Sequence, residues 1–161
     1  MARRIAKPEE LLNHLWRCLE VEVVFESAAH WESHITIRKD DFRKLFSELM
    51  KDSAEHKMMV ESLISMIKTK AGTKDLPLRP RVFDFSKMTE VQILAELAGI
   101  EKLAKTIYKN IREAAEKSNL EELLHRDRIT EFKTTLDRLI SDETIHENKV
   151  LAFSNDLRLR R

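Results

Sequence analysis

The chain has 161 residues, 42% of them hydrophobic, and its 29 basic and 28 acidic side chains leave a formal net charge of +1 at pH 7. That length and apolar content suffice for one domain with its own core, and the balanced charge excludes a general electrostatic attraction to nucleic acid. Two glycines and three prolines provide few turns, so the composition favours an all-α protein. Cys18 is the single cysteine, which excludes an intramolecular disulfide within these residues.

The first predicted helix runs from about Pro8 to about Ile35, because proline suits the first helical position and two glutamates follow it. Its apolar stripe consists of Leu12, Leu15, Trp16, Leu19 and Val23. Glu26 and His30 continue that stripe, whereas Glu20 lies at its border. The helix therefore offers three ionisable side chains near its apolar face.

The second predicted helix runs from about Asp41 to about Lys70, after a short polar connection that makes the first two helices antiparallel neighbours. Its apolar stripe consists of Phe42, Leu45, Phe46, Leu49, Val60, Leu63, Ile64 and Ile67. His56 lies in the middle of that stripe, and Asp52 and Ser53 lie one turn before it. An imidazole on an apolar face is either a hydrogen-bonded core side chain or a ligand.

The stretch from about residue 70 to about residue 88 contains a glycine and two prolines, which interrupt helices. It is too long for a tight hairpin and long enough to cross the length of a helical bundle. It therefore predicts a crossover, after which the third helix lies parallel to the second. Because neither half would bury enough surface alone, we interpret residues 1–161 as a single domain.

The segment Thr89–Gln92 has the residue pattern of a capping box and starts a third predicted helix, which runs to about Lys117. Glu101 lies on the apolar face of this helix. A short helical turn is predicted from Ser118 to about His125. The third helix thus adds one carboxylate to the buried face of the predicted bundle.

The fourth long helix is predicted from about Asp127 to about Asp156, and a basic tail, residues 157–161, follows it. Glu143 and His146 are three residues apart, which places them on one face of this helix. That face also carries Phe132, Leu136, Leu139, Val150 and Phe153. Burying a carboxylate and an imidazole there is costly, so they either bind a metal ion or form a buried ion pair.

Residues equidistant from the turn of a helical hairpin lie at the same height, because each residue advances the helix equally. The first connection centres near Arg38, which brings Glu20 level with His56. Glu26 lies more centrally on the apolar face, and with His30 it forms the alternative candidate pair on the first helix. The height along the hairpin favours Glu20 as the first-helix ligand, whereas the position on the apolar face favours Glu26.

The hairpin of the third and fourth predicted helices also brings ionisable residues to one height, and its connection centres near Leu123. That centre brings Glu101 about level with Glu143 and His146. Each of the four long helices therefore contributes an ionisable side chain on or beside its apolar face. The predicted metal ligands are Glu20, His56, Glu101, Glu143 and His146, with Glu26, His30, Asp52 and Ser53 as weaker candidates.

This pattern resembles the ferritin-like di-iron carboxylate superfamily, and within it the rubrerythrin type most. The resemblance implies a four-helix bundle with a long crossover between helices 2 and 3. It also implies bound iron, with manganese or zinc as alternatives that suit carboxylate and imidazole ligands. The implied function is an oxidoreductase acting on oxygen or peroxide, or a role in iron handling.

The chain also departs from that family. The second helix should carry Glu-x-x-His, but Ser53 occupies the Glu position, and Asp52 beside it points in a different direction. No cysteine-rich electron-transfer module is present, so an enzyme of this kind would need an external redox partner. The alternative is a non-enzymatic helical structural or interaction protein with a degenerate metal site.

The remaining expectations concern catalysis, partners and location. The sequence identifies no catalytic residue and no binding motif for an organic cofactor. The adjacent Met58 and Met59 suggest a homodimer or larger homo-oligomer, and we predict neither a nucleic-acid partner nor a membrane partner. Without a signal-peptide pattern at its N-terminus, the chain is expected to be cytoplasmic.

Overall fold

In the computed structural model, the described residues are 4–28, 39–68 and 88–159, with side chains through residue 24 of the first range and residue 156 of the last. These ranges contain helices α1 (Pro8–Ala28), α2 (Asp40–Ser65), α3 (Glu90–Glu116), α4 (Leu120–Leu123) and α5 (Ile129–Leu159). A 3-10 turn, Arg126–Arg128, precedes α5. The described residues form no strand beyond one isolated bridge between Ile67 and Leu124, so the all-helical prediction is confirmed.

The helix boundaries agree with local chemistry. The Thr89 hydroxyl accepts a hydrogen bond from the Gln92 backbone N–H, and the Gln92 side chain accepts one from the Thr89 N–H, which confirms the capping box. The predicted helical turn before the last helix is present as α4. The predicted extension of the first helix to Ile35, the crossover at about 70–88 and the end of the basic tail lie outside the described residues.

The four long helices pack around one another. Helix α1 packs on α2 and α3, and α5 packs on α3 and α2. None of the helices in the described ranges combines the length and apolar composition needed to cross a membrane. Each long helix therefore packs against two other long helices and turns one face toward the interior.

Hydrogen bonds at the helix ends fix the directions of the helices. The Ile5 N–H donates to Ser118 Oγ at 2.9 Å, so α1 begins beside the end of α3. The Lys68 N–H donates to the Leu123 carbonyl at 2.9 Å, so α2 ends beside the connection between α3 and α5. Helices α2 and α3 therefore run in the same direction, and α1 and α5 run in the opposite one.

The interior has two apolar clusters separated by a polar layer. The first cluster lies around Leu15, Leu63 and Phe132, and the second lies around Phe46 and Val150. The buried polar residues of the described chain lie between them, and they are Glu22, Ser53, His56, Glu101, Glu143 and His146. Burying so many polar groups in one layer is unfavourable unless they have partners, so this layer is the candidate site.

Candidate metal centre

Each long helix contributes to the polar layer at the same height. Glu22 comes from α1, Glu101 comes from α3, and Glu143 and His146 come from α5. On α2, the contributing residues are Ser53 and His56. Because 3.6 residues complete a helical turn, the i, i+3 spacing on α2 and on α5 brings both side chains of each pair inward.

The two histidines and Glu143 form the middle of the layer. His56 Nδ1 lies 2.9 Å from Glu143 Oε1, and His146 Nδ1 lies 4.0 Å from Glu143 Oε2. The two imidazole rings stack with their centroids 5.5 Å apart. Glu143 therefore lies between the Nδ1 atoms of two imidazoles that come from different helices.

Two further carboxylates flank this middle. Glu101 Oε2 lies 3.4 Å from His146 Nδ1, and Glu22 Oε2 lies 3.9 Å from His56 Nδ1. We call Glu143, His146 and Glu101 the α5 half of the site, and Ser53, His56 and Glu22 the α2 half. Each half joins one imidazole to one carboxylate of a neighbouring helix.

The outer nitrogen of each imidazole faces an aspartate. His146 Nε2 lies 3.0 Å from Asp52 Oδ2, and His56 Nε2 lies 3.5 Å from Asp142 Oδ2. When Nε2 carries the proton and donates to the aspartate, the Nδ1 lone pair points toward the interior carboxylates. This is the arrangement in which a carboxylate orients a metal-binding histidine.

These contacts show a pattern that occurs twice. Asp52-Ser53-x-x-His56 on α2 and Asp142-Glu143-x-x-His146 on α5 have the same spacing, and the two helices are antiparallel neighbours. Each aspartate pairs with the histidine of the other helix. The two motifs differ in chemistry at one position, where α2 has Ser53 and α5 has Glu143.

Glu22 has a different environment from Glu143. Its Oε1 accepts a hydrogen bond from the Tyr108 hydroxyl at 2.5 Å, and its Oε2 accepts one from the Ser53 hydroxyl at 2.7 Å. Glu143 Oε2, in contrast, is buried and has no hydrogen-bond donor among the described residues. The adjacent Glu101 carboxyl can share a proton with Glu143, but it offers no donor when both groups are ionised.

The electrostatics of the layer reflect this crowding of acids. Burial and the nearby Glu143 charge raise the pKa of Glu22 to about 7, and burial likewise raises the pKa of Glu101 to about 7. Burial and the Glu101 carboxyl raise the pKa of Glu143 to about 8. Burial lowers the pKa of His56, but the hydrogen bond to Glu143 and the surrounding acids outweigh it and raise that pKa to about 9. In the folded protein these groups therefore retain more protons than their usual pKa values would allow, unless another positive charge takes the place of the protons.

The geometry fits a metal ion as that positive charge. Ligand atoms of His56, Glu143 and His146 all lie within 4.8 Å of one another. Two atoms that bind one ion at ~2.1 Å can be at most ~4.2 Å apart. The contacts of 2.9, 3.4 and 4.0 Å satisfy that limit, whereas the 4.8 Å bound on the whole group is wider, so a shared ion requires the side chains to close slightly around it. Imidazole nitrogen and carboxylate oxygen are suitable ligands for iron, manganese and zinc.

A cavity of about 230 Å³ opens toward the site between α2 and α5. His56 and His146 line its inner side, and Asp52 and Asp142 line it beside them. Arg138 lies at its rim, within 3.6 Å of Glu55 and 3.5 Å of Asp142. The cavity therefore reaches the outer edges of both imidazoles from the surface.

The structure brings together His56, Glu101, Glu143 and His146 from the predicted set. Asp52 lies at the edge of this group as a hydrogen-bond partner of His146, and Ser53 is buried as a donor to Glu22. The side chain of Glu26 and all of His30 lie outside the described residues. Whether these residues bind a metal stays a prediction.

The glutamate predicted on α1 needs a correction. Glu22, which the sequence analysis did not select, occupies the place predicted for Glu20. Glu20 is half-buried and lies two residues earlier, about 200° around the helix from Glu22. The missed signal is the buried stripe of Leu11, Leu15 and Cys18, which continues at helical spacing to Glu22.

Comparisons with known proteins give no match, whether to a family model, to a curated protein or to a solved structure.

Proposed function

We propose that this chain is a ferritin-like metal-binding protein whose polar layer holds iron. His56, Glu143 and His146 are the central ligands, and Glu101 and Glu22 are the flanking carboxylates. The observation that carries the proposal is the buried Glu143 carboxylate, which has imidazole nitrogens on both sides and whose Oε2 has no donor among the described residues apart from a proton shared with Glu101. A metal ion would satisfy all of these lone pairs at once.

The helix directions support the ferritin-like part of this proposal. Helices α2 and α3 run in the same direction, which is the relation expected across the long crossover of ferritin-like bundles. One glutamate from each of α1 and α3 and a Glu-x-x-His motif on α5 also match that family pattern. The α2 motif departs from it only at Ser53.

The two aspartates and the burial of the layer would give the centre its properties. Asp52 and Asp142 fix the orientation of the imidazoles, and the apolar clusters above and below the layer exclude water. Bound ferrous iron would supply the electrons for reduction of oxygen or peroxide. Small molecules would approach through the cavity between α2 and α5, which ends at the two histidines.

Metal analysis of the purified protein tests this proposal. We expect iron, manganese or zinc at ~1–2 equivalents per chain after anaerobic ferrous loading, since binding to a folded site stabilises it. His146→Ala should lower the metal content and the melting temperature of the loaded protein together. His125→Ala, at an exposed position before α5, is the matched control. No bound metal in the wild type after loading would refute the proposal.

The second candidate is a helical structural protein in which an ancestral metal site has decayed. Ser53 favours this candidate, because its hydroxyl and that of Tyr108 satisfy both oxygens of Glu22 without any metal. Such a protein would contain no metal, and adding ferrous iron to it would leave its melting temperature unchanged. The same metal analysis therefore separates the two candidates.

A further inference from the structure

The repeated motif makes Ser53 the counterpart of Glu143. Both residues follow an aspartate and precede a histidine by three positions, on two antiparallel helices that face each other. The paired aspartates exchange partners across the two helices. A symmetric site would therefore have a second carboxylate at position 53, opposite Glu143.

The Ser53 hydroxyl has another role in this structure. It donates to Glu22 Oε2 at 2.7 Å, and its oxygen lies 3.1 Å from the Glu22 backbone carbonyl. A neutral hydroxyl adds no negative charge to balance a cation, and its single hydrogen is already used. The α2 half consequently has one carboxylate fewer than the α5 half.

Glu22 is also held away from a metal. Tyr108 and Ser53 each donate to one of its oxygens, which ties the carboxylate to α3 and α2. Its nearer oxygen stays 3.9 Å from His56 Nδ1, whereas Glu143 Oε1 lies 2.9 Å from the same nitrogen. Two hydrogen bonds from hydroxyl groups thus satisfy both oxygens of Glu22 without a cation.

The remaining donor atoms surround the Glu143 carboxylate, with His56 Nδ1 beside Oε1 and His146 Nδ1 beside Oε2. His56 Nδ1, Glu143, His146 Nδ1 and Glu101 Oε2 supply two nitrogens and two carboxylates, with neighbouring atoms 2.9–4.0 Å apart. From this asymmetry we infer that the polar layer is a mononuclear site that binds one divalent cation per chain, and that Ser53 prevents binding of a second. The inference rests on the metal site proposed above and specifies its stoichiometry.

Anaerobic titration of the metal-free full-length protein with Co²⁺ tests the inference, because the visible absorption of Co²⁺ reports its ligands. We expect the wild type to saturate at one Co²⁺ per chain and Ser53→Glu to saturate at two. Ser62→Glu, on the exposed face of the same helix, should stay at one. Saturation of the wild type at two overturns the inference and leaves the proposed function standing, whereas no binding at all removes the proposed function itself.

A second variant keeps the inference falsifiable if Ser53→Glu does not fold. Ser53→Asp adds the same charge on a side chain close in size to serine, and it should likewise raise saturation to two Co²⁺ per chain. A folded Ser53→Asp protein that saturates at one Co²⁺ contradicts the inference. A folded Ser53→Glu protein that still binds one ion would likewise overturn the role assigned to Ser53.

Discussion

The two halves of the polar layer have nearly the same plan but different chemistry. In the α5 half, Glu143 lies between two imidazoles and has a buried oxygen without a donor among the described residues. In the α2 half, Ser53 takes the equivalent position and, with Tyr108, satisfies Glu22 completely. The hydroxyl at position 53 thus makes the neighbouring Glu22 a hydrogen-bond acceptor, whereas Glu143 has no equivalent hydroxyl partner.

The largest loss of metal affinity should come from removing the Glu143 carboxylate, which has no counterpart at Ser53 in the α2 half. Glu143→Gln deletes the charge between the two histidines, and we expect its affinity for Co²⁺ or Fe²⁺ to fall by more than ~100-fold, beyond the ~10–100-fold typical of residues that only orient ligands. Calorimetric titration measures this. Glu131→Gln on the same helix, an exposed position beside Arg128, is the control. An unchanged affinity in Glu143→Gln would contradict the assignment of Glu143 as a ligand.

Substituting the aspartates that face the imidazoles should cause a smaller loss of metal affinity. Asp52→Asn and Asp142→Asn should each weaken metal binding by ~10–100-fold. Asp52→Asn should be the more severe, because Asp52 lies 3.0 Å from His146 Nε2, whereas Asp142 lies 3.5 Å from His56 Nε2 and also contacts Arg138. Asp137→Asn, at an exposed position on α5, serves as control in the same titration. Equal effects of Asp52→Asn and Asp142→Asn would remove the distinction between the halves, and an equal effect of Asp137→Asn would remove the orienting role of both aspartates.

The smallest effect is the pH dependence of the metal-free protein. The pKa values of Glu22, Glu101 and Glu143 are raised from 4.5 to about 7, 7 and 8, and that of His56 is raised from 6.5 to about 9. The folded state therefore binds more protons than the unfolded chain between these values. Stability contributed by the three acids is present below about pH 4.5 and lost as pH rises to 8, and that contributed by His56 is lost between pH 6.5 and 9.

We therefore expect the melting temperature of the metal-free protein to fall from pH 5 to pH 9, measured by circular dichroism with a chelator present. A bound cation replaces the retained protons, so the temperature difference between loaded and metal-free protein should grow over the same range. A melting temperature that rises over this range in the metal-free protein would show that the raised pKa values are wrong.

Most of the fold follows from the sequence because helical periodicity and caps are local. Thr89 and Gln92 form their capping box within one turn, and the predicted starts of the four long helices lie within two residues of those observed. The predicted crossover lies outside the described residues. The ferritin-like assignment itself stays a prediction, supported by the parallel direction of α2 and α3.

The positions of the buried polar residues follow from the sequence where a motif lies on one helix, and less well where they depend on how two helices align. Glu143 and His146 follow from i, i+3 spacing alone. Glu20 was chosen by centring the first connection at Arg38, but a centre at Lys39 makes Glu22 level with His56. A shift of one residue in the centre moves the partner by two positions, which rotates the side chain by about 200°. The roles of Tyr108 and Asp142 depend on contacts between helices, which no local pattern reveals.

The polar layer also divides the hydrophobic interior into two clusters, and this has a consequence for how the protein folds. All four long helices pass through both clusters, but the layer between them is held by a few hydrogen bonds among acids, imidazoles and hydroxyls rather than by apolar packing. We therefore expect the two ends of the metal-free protein to be less tightly coupled than they would be through a continuous apolar core. An ion bound by α2, α3 and α5 would connect the ends at mid-height, so that two weakly coupled folding units become one cooperative unit.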